Sequence, residues 1–179
     1  MKTLLILRHA RSILKGQNLS DHARPLDELA KQDALDMGKL LRNKDLIPDL
    51  IISSTALRAK TTAELVAKGG IYQGEIVLEQ SLYQAKPKDY LNIIKGLSEK
   101  YTCVLLVGHN PTLEETIGLL AGSSGVKMTP CALAPLNISI EKWSDFKFND
   151  KQENNAGADL IRNVVLAGII TPRVWGLGS

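Results

Sequence analysis

Aromatic residues are scarce in this sequence: phenylalanine, tryptophan and tyrosine make up 4% of its 179 residues. A core built from it must be aliphatic, packed from the rest of its 44% hydrophobic content. An excess of one charge is missing too. Lysine and arginine number 22 against 19 aspartates and glutamates, a net charge of +3. No run of like charges is long enough to act as a nucleic-acid arm. The mild basic balance, with a pI near 8.8, suits an anionic substrate without demonstrating one. Cysteine is limited to Cys103 and Cys131, both in apolar stretches and neither in a metal-ligand spacing. We expect both to be buried, reduced thiols of a cytosolic protein.

Long apolar runs are also absent. The run that follows Lys2 ends after five residues at Arg8 and His9, short of the ~7–15 residues of a secretory core. "VVLAGII" at 164–170 is too short to cross a bilayer. The expectation is a cytoplasmic protein with neither membrane nor nucleic acid as a partner. No internal repeat is visible, and the length fits one domain over residues 1–179.

What is present is a rhythm of short buried strands and helices. Thr3 to Leu7 reads as a fully buried strand. Residues 12–25 read as a loop, and Asp27 as the N-cap of a helix with Ala30, Ala34, Met37 and Leu41 at helical spacing. A second strand covers 49–53, and a second helix runs from Leu57 to Lys68, with Gly69-Gly70 expected to stop it. Residues 75–83 can hold a short edge strand. Pro87 opens a third helix with Leu91, Ile94 and Leu97 on one face. "TCVLLV" at 102–107 is a third buried strand, broken by Gly108. A fourth helix starts near Asn110-Pro111-Thr112, with Asn110 expected to cap it and a candidate capping box of Thr112 and Glu115. "CALAPLNISIEKW" reads as a strand or a pair of strands, and 145–159 as a surface loop. Strands alternating with helices argue for an α/β protein with a mostly parallel sheet covered on both faces.

The ends of the buried strands share a chemistry. The first delivers Arg8 and His9, the second leads through Ser53 and Ser54 to Arg58, and the third delivers Gly108, His109 and Asn110. In an open α/β sheet, ligands bind beyond the carboxyl ends of the strands. If the three strands are parallel neighbours, two arginines and two histidines meet in one crevice. Arginine offers a fork of donors that matches phosphate or carboxylate oxygens. Histidine can serve as nucleophile, acid–base group or donor. A helix N-terminus near Asn110 adds N–H groups. Together these describe a phosphate pocket.

The motifs "LRHARS", "SSTALRAKTTAE" and "VGHNP", in this order, resemble those of the histidine phosphatase superfamily. "DHARPLDELA" brings the chain closer to the SixA-type phosphohistidine phosphatases, a resemblance that covers roughly residues 1–140. It implies a three-layer α/β/α sandwich of the phosphoglycerate mutase-like kind. It also implies that His9 is the nucleophile and becomes phosphohistidine, while Arg8, Arg58 and His109 hold the phosphoryl oxygens. Arg24 adds a charge at the pocket's mouth or a salt bridge. His22 is a loop residue or a substrate contact, and Arg11 is solvated or ion-paired. No cofactor is implied, and His9, His22 and His109 show no metal-ligand spacing.

One departure bears on the substrate. Members acting on phosphate esters often carry a Glu or Asp two residues after a leucine in the segment following the third short strand, as general acid for the leaving alcohol. The matching stretch here is Leu82-Tyr83-Gln84, and Glu79 stands three residues early. An alkoxide needs a proton in the transition state, whereas an imidazole protonated on its second nitrogen leaves as a neutral ring. The expected substrate is therefore a phosphohistidine on a histidine phosphotransfer or phosphocarrier protein. The alternatives are a monoesterase for a small phosphorylated metabolite or another phosphoprotein, and a phosphate-binding module without turnover. A nucleotide-cofactor enzyme is disfavoured, because no glycine-rich fingerprint follows the first strand.

Overall fold

The structure is a computed structural model, and it describes residues 1–13, 19–147 and 163–172. Its centre is a six-stranded sheet in the order β3-β2-β4-β1-β5-β6. The strands are β1 (Lys2–Arg8), β2 (Leu50–Ser54), β3 (Ile76–Glu79), β4 (Cys103–Gly108), β5 (Leu133–Ile138) and β6 (Val164–Leu166). The first four are mutually parallel, whereas β5 runs antiparallel to β1 and β6 antiparallel to β5. The helices are α1 (Glu28–Asn43), α2 (Leu57–Gly70), α3 (Pro87–Lys95) and α4 (Thr112–Ala121).

The uninterrupted apolar runs of β1, β2 and β4 follow from burial of both sheet faces. Side chains alternate across a strand. Leu4, Ile6, Leu50, Ile52, Val104 and Leu106 join one core, together with α3, α4, Trp143 and Phe146. Leu5, Leu7, Ile51, Leu105 and Val107 join the other, with α1 and α2. The result is the expected three-layer, phosphoglycerate mutase-like arrangement. Among the described residues, Trp143, Tyr90 and Phe146 are the largest fully buried side chains, all in the first core.

Local signals account for several boundaries. The Asp27 carboxylate accepts the Ala30 N–H at 2.8 Å, so α1 starts where the sequence placed it. Gly69-Gly70 form the last residues of α2, which stops there as expected, but the left-handed cap that follows is Ile71 (φ 58°), not a glycine. A Cβ on Gly69 would stand 2.1 Å from the Leu35 carbonyl oxygen, and one on Gly38 2.1 Å from that of Val66. These glycines let α1 and α2 meet backbone to backbone. At α4 the expected capping box is absent: Pro111 is the N-cap, and the Thr112 hydroxyl donates to the Ala85 carbonyl at 2.8 Å. The candidate strand pair near 131–143 is β5 followed by a 3-10 turn at Trp143–Asp145. Most of the expected loop at 145–159 lies outside the described residues. Cys131 is buried but Cys103 is only half-buried at the start of β4; both are free thiols.

Candidate active site

The sheet order makes β1, β4 and β2 neighbours, the condition under which their ends converge. The register pairs Arg8 with Gly108. His9 and His109 therefore leave adjacent strands at the same level, and the His9 N–H donates to the Gly108 carbonyl at 3.1 Å. Their ring centroids lie 5.0 Å apart. Glycine is required at 108 because a Cβ there would stand 1.8 Å from the Tyr90 hydroxyl. From β2, Ser54 reaches His109 and α2 brings in Arg58. The structure thus brings together Arg8, His9, Arg58 and His109, with Arg11, Ser12, Arg24, Asn110 and Pro130, around a crevice of about 320 Å³.

Hydrogen bonds define the state of each ring. His9 Nδ1–H donates to the Ala10 carbonyl at 2.7 Å, which leaves Nε2 with its lone pair toward the crevice. Arg58 Nε–H faces that lone pair at 3.3 Å. Burial pushes the His9 pKa down to about 4, with the nearby Arg58, Arg8 and Arg24 adding to it against the Ala10 bond. His9 is thus neutral at neutral pH, with the Nε2 lone pair directed at the crevice. His109 Nε2 lies 2.8 Å from the Ser54 hydroxyl oxygen, which itself accepts the Ala56 N–H at 3.3 Å. The Ser54 hydroxyl still has its hydrogen to offer, and when it donates to Nε2 the His109 proton sits on Nδ1. That atom is buried and unpartnered within the protein. Burial, followed by His9 and Arg58, lowers the His109 pKa to about 3. The ring is neutral at neutral pH.

The arginines are held from behind. Arg8 Nη1 donates to the Met128 carbonyl at 2.7 Å, and Asn110 Nδ2 reaches the same oxygen at 3.0 Å. Glu114 ties this corner by accepting from Asn110 Nδ2 at 2.8 Å and from the Met128 N–H at 2.7 Å. Asn110 therefore braces the Arg8 corner instead of capping α4. Arg58, only 6% exposed, is gripped by Asp21. Nη1 donates to the Asp21 carbonyl at 2.7 Å and Nη2 to its carboxylate at 3.1 Å. Arg24 does both things expected of it: it lines the crevice and pairs with Asp21 at 3.1 Å. Arg11 lines the crevice and is ion-paired to Asp27. His22 is tied to the Thr55 hydroxyl at 3.0 Å and packs edge-on against Tyr83, with centroids 4.7 Å apart.

Beyond Arg58 and His109 lies a second cavity of about 210 Å³, lined among others by Asp21, Leu82, Tyr83, Gln84 and Tyr90. Leu82-Tyr83-Gln84 thus does face the site, and Asp21 is the only carboxylate among the residues lining either cavity. Burial raises the Asp21 pKa, but Arg58, the Tyr83 hydroxyl and Arg24 outweigh it and hold the group below the usual carboxylate range. Glu79 ends β3 and accepts the Ser81 N–H at 2.9 Å, a bond that lowers its pKa. It lines neither cavity. Sequence reasoning left out Asp21 and Tyr83. The available signal for Asp21 was its place three residues before Arg24 in "DHAR". Among the described residues, no group of three or more His, Cys, Asp or Glu side chains could hold a metal ion.

No family model matches the chain. A Mycobacterium leprae protein of no assigned function is 31% identical over 158 residues, 82% of this chain and 95% of that one. Among solved structures, the candidate phosphohistidine phosphatase SixA of Agrobacterium tumefaciens is 30% identical, with a TM-score of 0.69 over 75% of this chain and 90% of its own. A protein histidine phosphatase SixA complexed with tungstate shares the fold at 19% identity, with a TM-score of 0.77 over 95% of this chain and 97% of its own. The chain belongs to the histidine phosphatase superfamily, in its SixA-type branch. The fold is also shared with a candidate alpha-ribazole-5'-P phosphatase from Escherichia coli, 20% identical, with a TM-score of 0.64 over 79% of this chain and 93% of its own. No helix among the described residues is long and apolar enough to cross a membrane.

Proposed function

We propose that the chain is a phosphatase that removes the phosphoryl group from phosphohistidine on a protein, by way of a phosphorylated His9. His9 Nε2 attacks phosphorus, the bond from phosphorus to the substrate imidazole breaks, and the phosphoryl group resides on Nε2. Water then attacks phosphorus, the P–N bond to His9 breaks, and inorganic phosphate leaves. Arg8, Arg58 and the His109 Nδ1–H supply donors to the phosphoryl oxygens. Phosphoryl transfer depends on positioning and on stabilising spread charge, so such a set suffices without a metal.

The observation that favours phosphohistidine over an ester is that, among the described residues lining the two cavities, Asp21 alone carries a carboxyl group, and two arginines keep it ionised. An alcohol leaving group would find no proton donor of suitable strength. A substrate imidazole already protonated on its second nitrogen leaves as a neutral ring and needs none. In this reading the whole chain acts as one cytoplasmic domain, and its partner is a phosphorylated histidine phosphotransfer or phosphocarrier protein.

The test is a paired assay with a phosphohistidine-bearing protein and a panel of small phosphate esters, with His9→Ala as control. Faster release from phosphohistidine than from any ester, abolished in His9→Ala and unaffected by EDTA, is expected. Faster turnover of an ester would move the substrate to the metabolites. Activity in a folded His9→Ala would remove His9 as the nucleophile.

A further inference from the structure

Arg58 carries five N–H donors. Two of its nitrogens are taken by one residue: Nη1 by the Asp21 carbonyl at 2.7 Å and Nη2 by its carboxylate at 3.1 Å. This two-point grip fixes the plane of the guanidinium as well as its position. The third nitrogen, Nε, is thereby aimed at His9 Nε2, 3.3 Å away. The same carboxylate accepts the Tyr83 hydroxyl at 3.1 Å and pairs with Arg24 at 3.1 Å. One side chain therefore joins the loop before α1, the start of α2 and the segment after β3.

An acid is a costly residue to place beside a phosphate pocket. A carboxylate close to a phosphoryl dianion repels it, and the Arg58 charge is partly offset before any substrate arrives. A group meant only to attract phosphate would not include it. We propose that Asp21 is a positioning residue whose grip on Arg58 sets the guanidinium in line with the His9 nucleophile, trading ground-state phosphate affinity for orientation in the transfer step. This rests on the reading of His9 as the nucleophile.

The trade predicts a split that a purely structural residue would not give. Asp21→Asn keeps the size of the side chain and an oxygen acceptor but loses the charge. Steady-state kinetics on a phosphohistidine protein should show kcat lower by about tenfold or more, since a charged hydrogen bond has been weakened. KM should be unchanged or lower, and inhibition by inorganic phosphate should be equal or stronger. Asp21→Glu should regain part of kcat. A folded Asp21→Asn with wild-type kcat, or with raised KM at unchanged kcat, overturns the inference. So does joint loss of turnover and phosphate inhibition. Should Asp21→Asn not fold, Tyr83→Phe decides, because it removes one bond to the carboxylate and leaves the charges in place. A fall in kcat at constant KM supports the inference, and an unchanged kcat overturns it. Residual turnover in a folded His9→Ala would instead sink the assignment of the nucleophile, and with it the alignment proposed for Asp21, whereas a failed split with His9→Ala inactive overturns the Asp21 inference alone.

Discussion

Replacing Arg58 with alanine is the sharpest test of the electrostatics. The guanidinium stands 3.3 Å from His9 Nε2, the nitrogen that would bond phosphorus. A phosphoryl oxygen at that point lies roughly 4 Å from a full positive charge. At an effective dielectric constant near 20, one charge pair at ~4 Å is worth about 4 kcal/mol. With 1.36 kcal/mol per tenfold in rate, that is close to 10³-fold. Asp21, 3.1 Å from Nη2, offsets part of it. We therefore expect kcat/KM to fall by ~10²- to ~10³-fold in Arg58→Ala. Arg58→Lys should lie between, because it keeps the charge and loses the fork that fits Asp21. The assay is kcat/KM on a phosphohistidine protein, with circular dichroism to confirm folding. An accompanying sign is available from His9. Arg58 is one of the charges that depress its pKa, so the acid limb of the profile should move to higher pH in Arg58→Ala. A loss below tenfold, or an acid limb that stays put, would refute the reasoning.

The pH dependence of the wild type follows from the same ring. With a His9 pKa of about 4, turnover should be insensitive to this group above about pH 5 and should fall as pH drops through about 4. Stability moves the same way: an unfolded His9 takes up its proton near 6.5 and the folded one only near 4. Between those values the unfolded state binds more protons, so the protein loses stability as pH falls. His9→Ala should reduce that slope in denaturant titrations, leaving the share of His109, whose pKa is likewise lowered to about 3, and a His9 that titrates near 6.5 by NMR would contradict both statements. Gly38→Ala should lower the melting temperature, since its Cβ would stand 2.1 Å from the Val66 carbonyl oxygen. Overpacking of this kind costs roughly 1–3 kcal/mol, and an unchanged melt would mean that α1 and α2 do not approach as described.

Much of the fold was legible because its signals are local or periodic. Unbroken aliphatic runs marked β1, β2 and β4 as strands buried on both faces, and Asp27 marked the start of α1. The misreadings came where long-range packing overrode local propensity. Gly69-Gly70 do end α2, but the left-handed turn expected of them falls on Ile71. Their second use, the close backbone approach with Gly38, joins residues about thirty apart in the chain. Thr112 reads as a capping partner for Glu115, but the Ala85 carbonyl claims its hydroxyl instead. A single residue cannot announce a partner on another element.

The site divides along the same line. His9, Arg8, His109 and Arg58 sit at strand ends or a helix start, so their convergence follows once the three strands are taken as parallel neighbours. Asp21 is different in kind. Its effect lies in which groups it joins, and two of the three, Arg58 and Tyr83, are remote in sequence. An acid near a phosphate site also looks misplaced when charge is counted residue by residue. It becomes intelligible only when orientation is weighed beside attraction. Four arginines line the crevice, and attraction alone would be served by leaving all of them free. Three meet carboxylates instead, Arg58 and Arg24 at Asp21 and Arg11 at Asp27. A pocket that must release phosphate after every turnover is better served by arginines fixed in place than by the strongest field it could make.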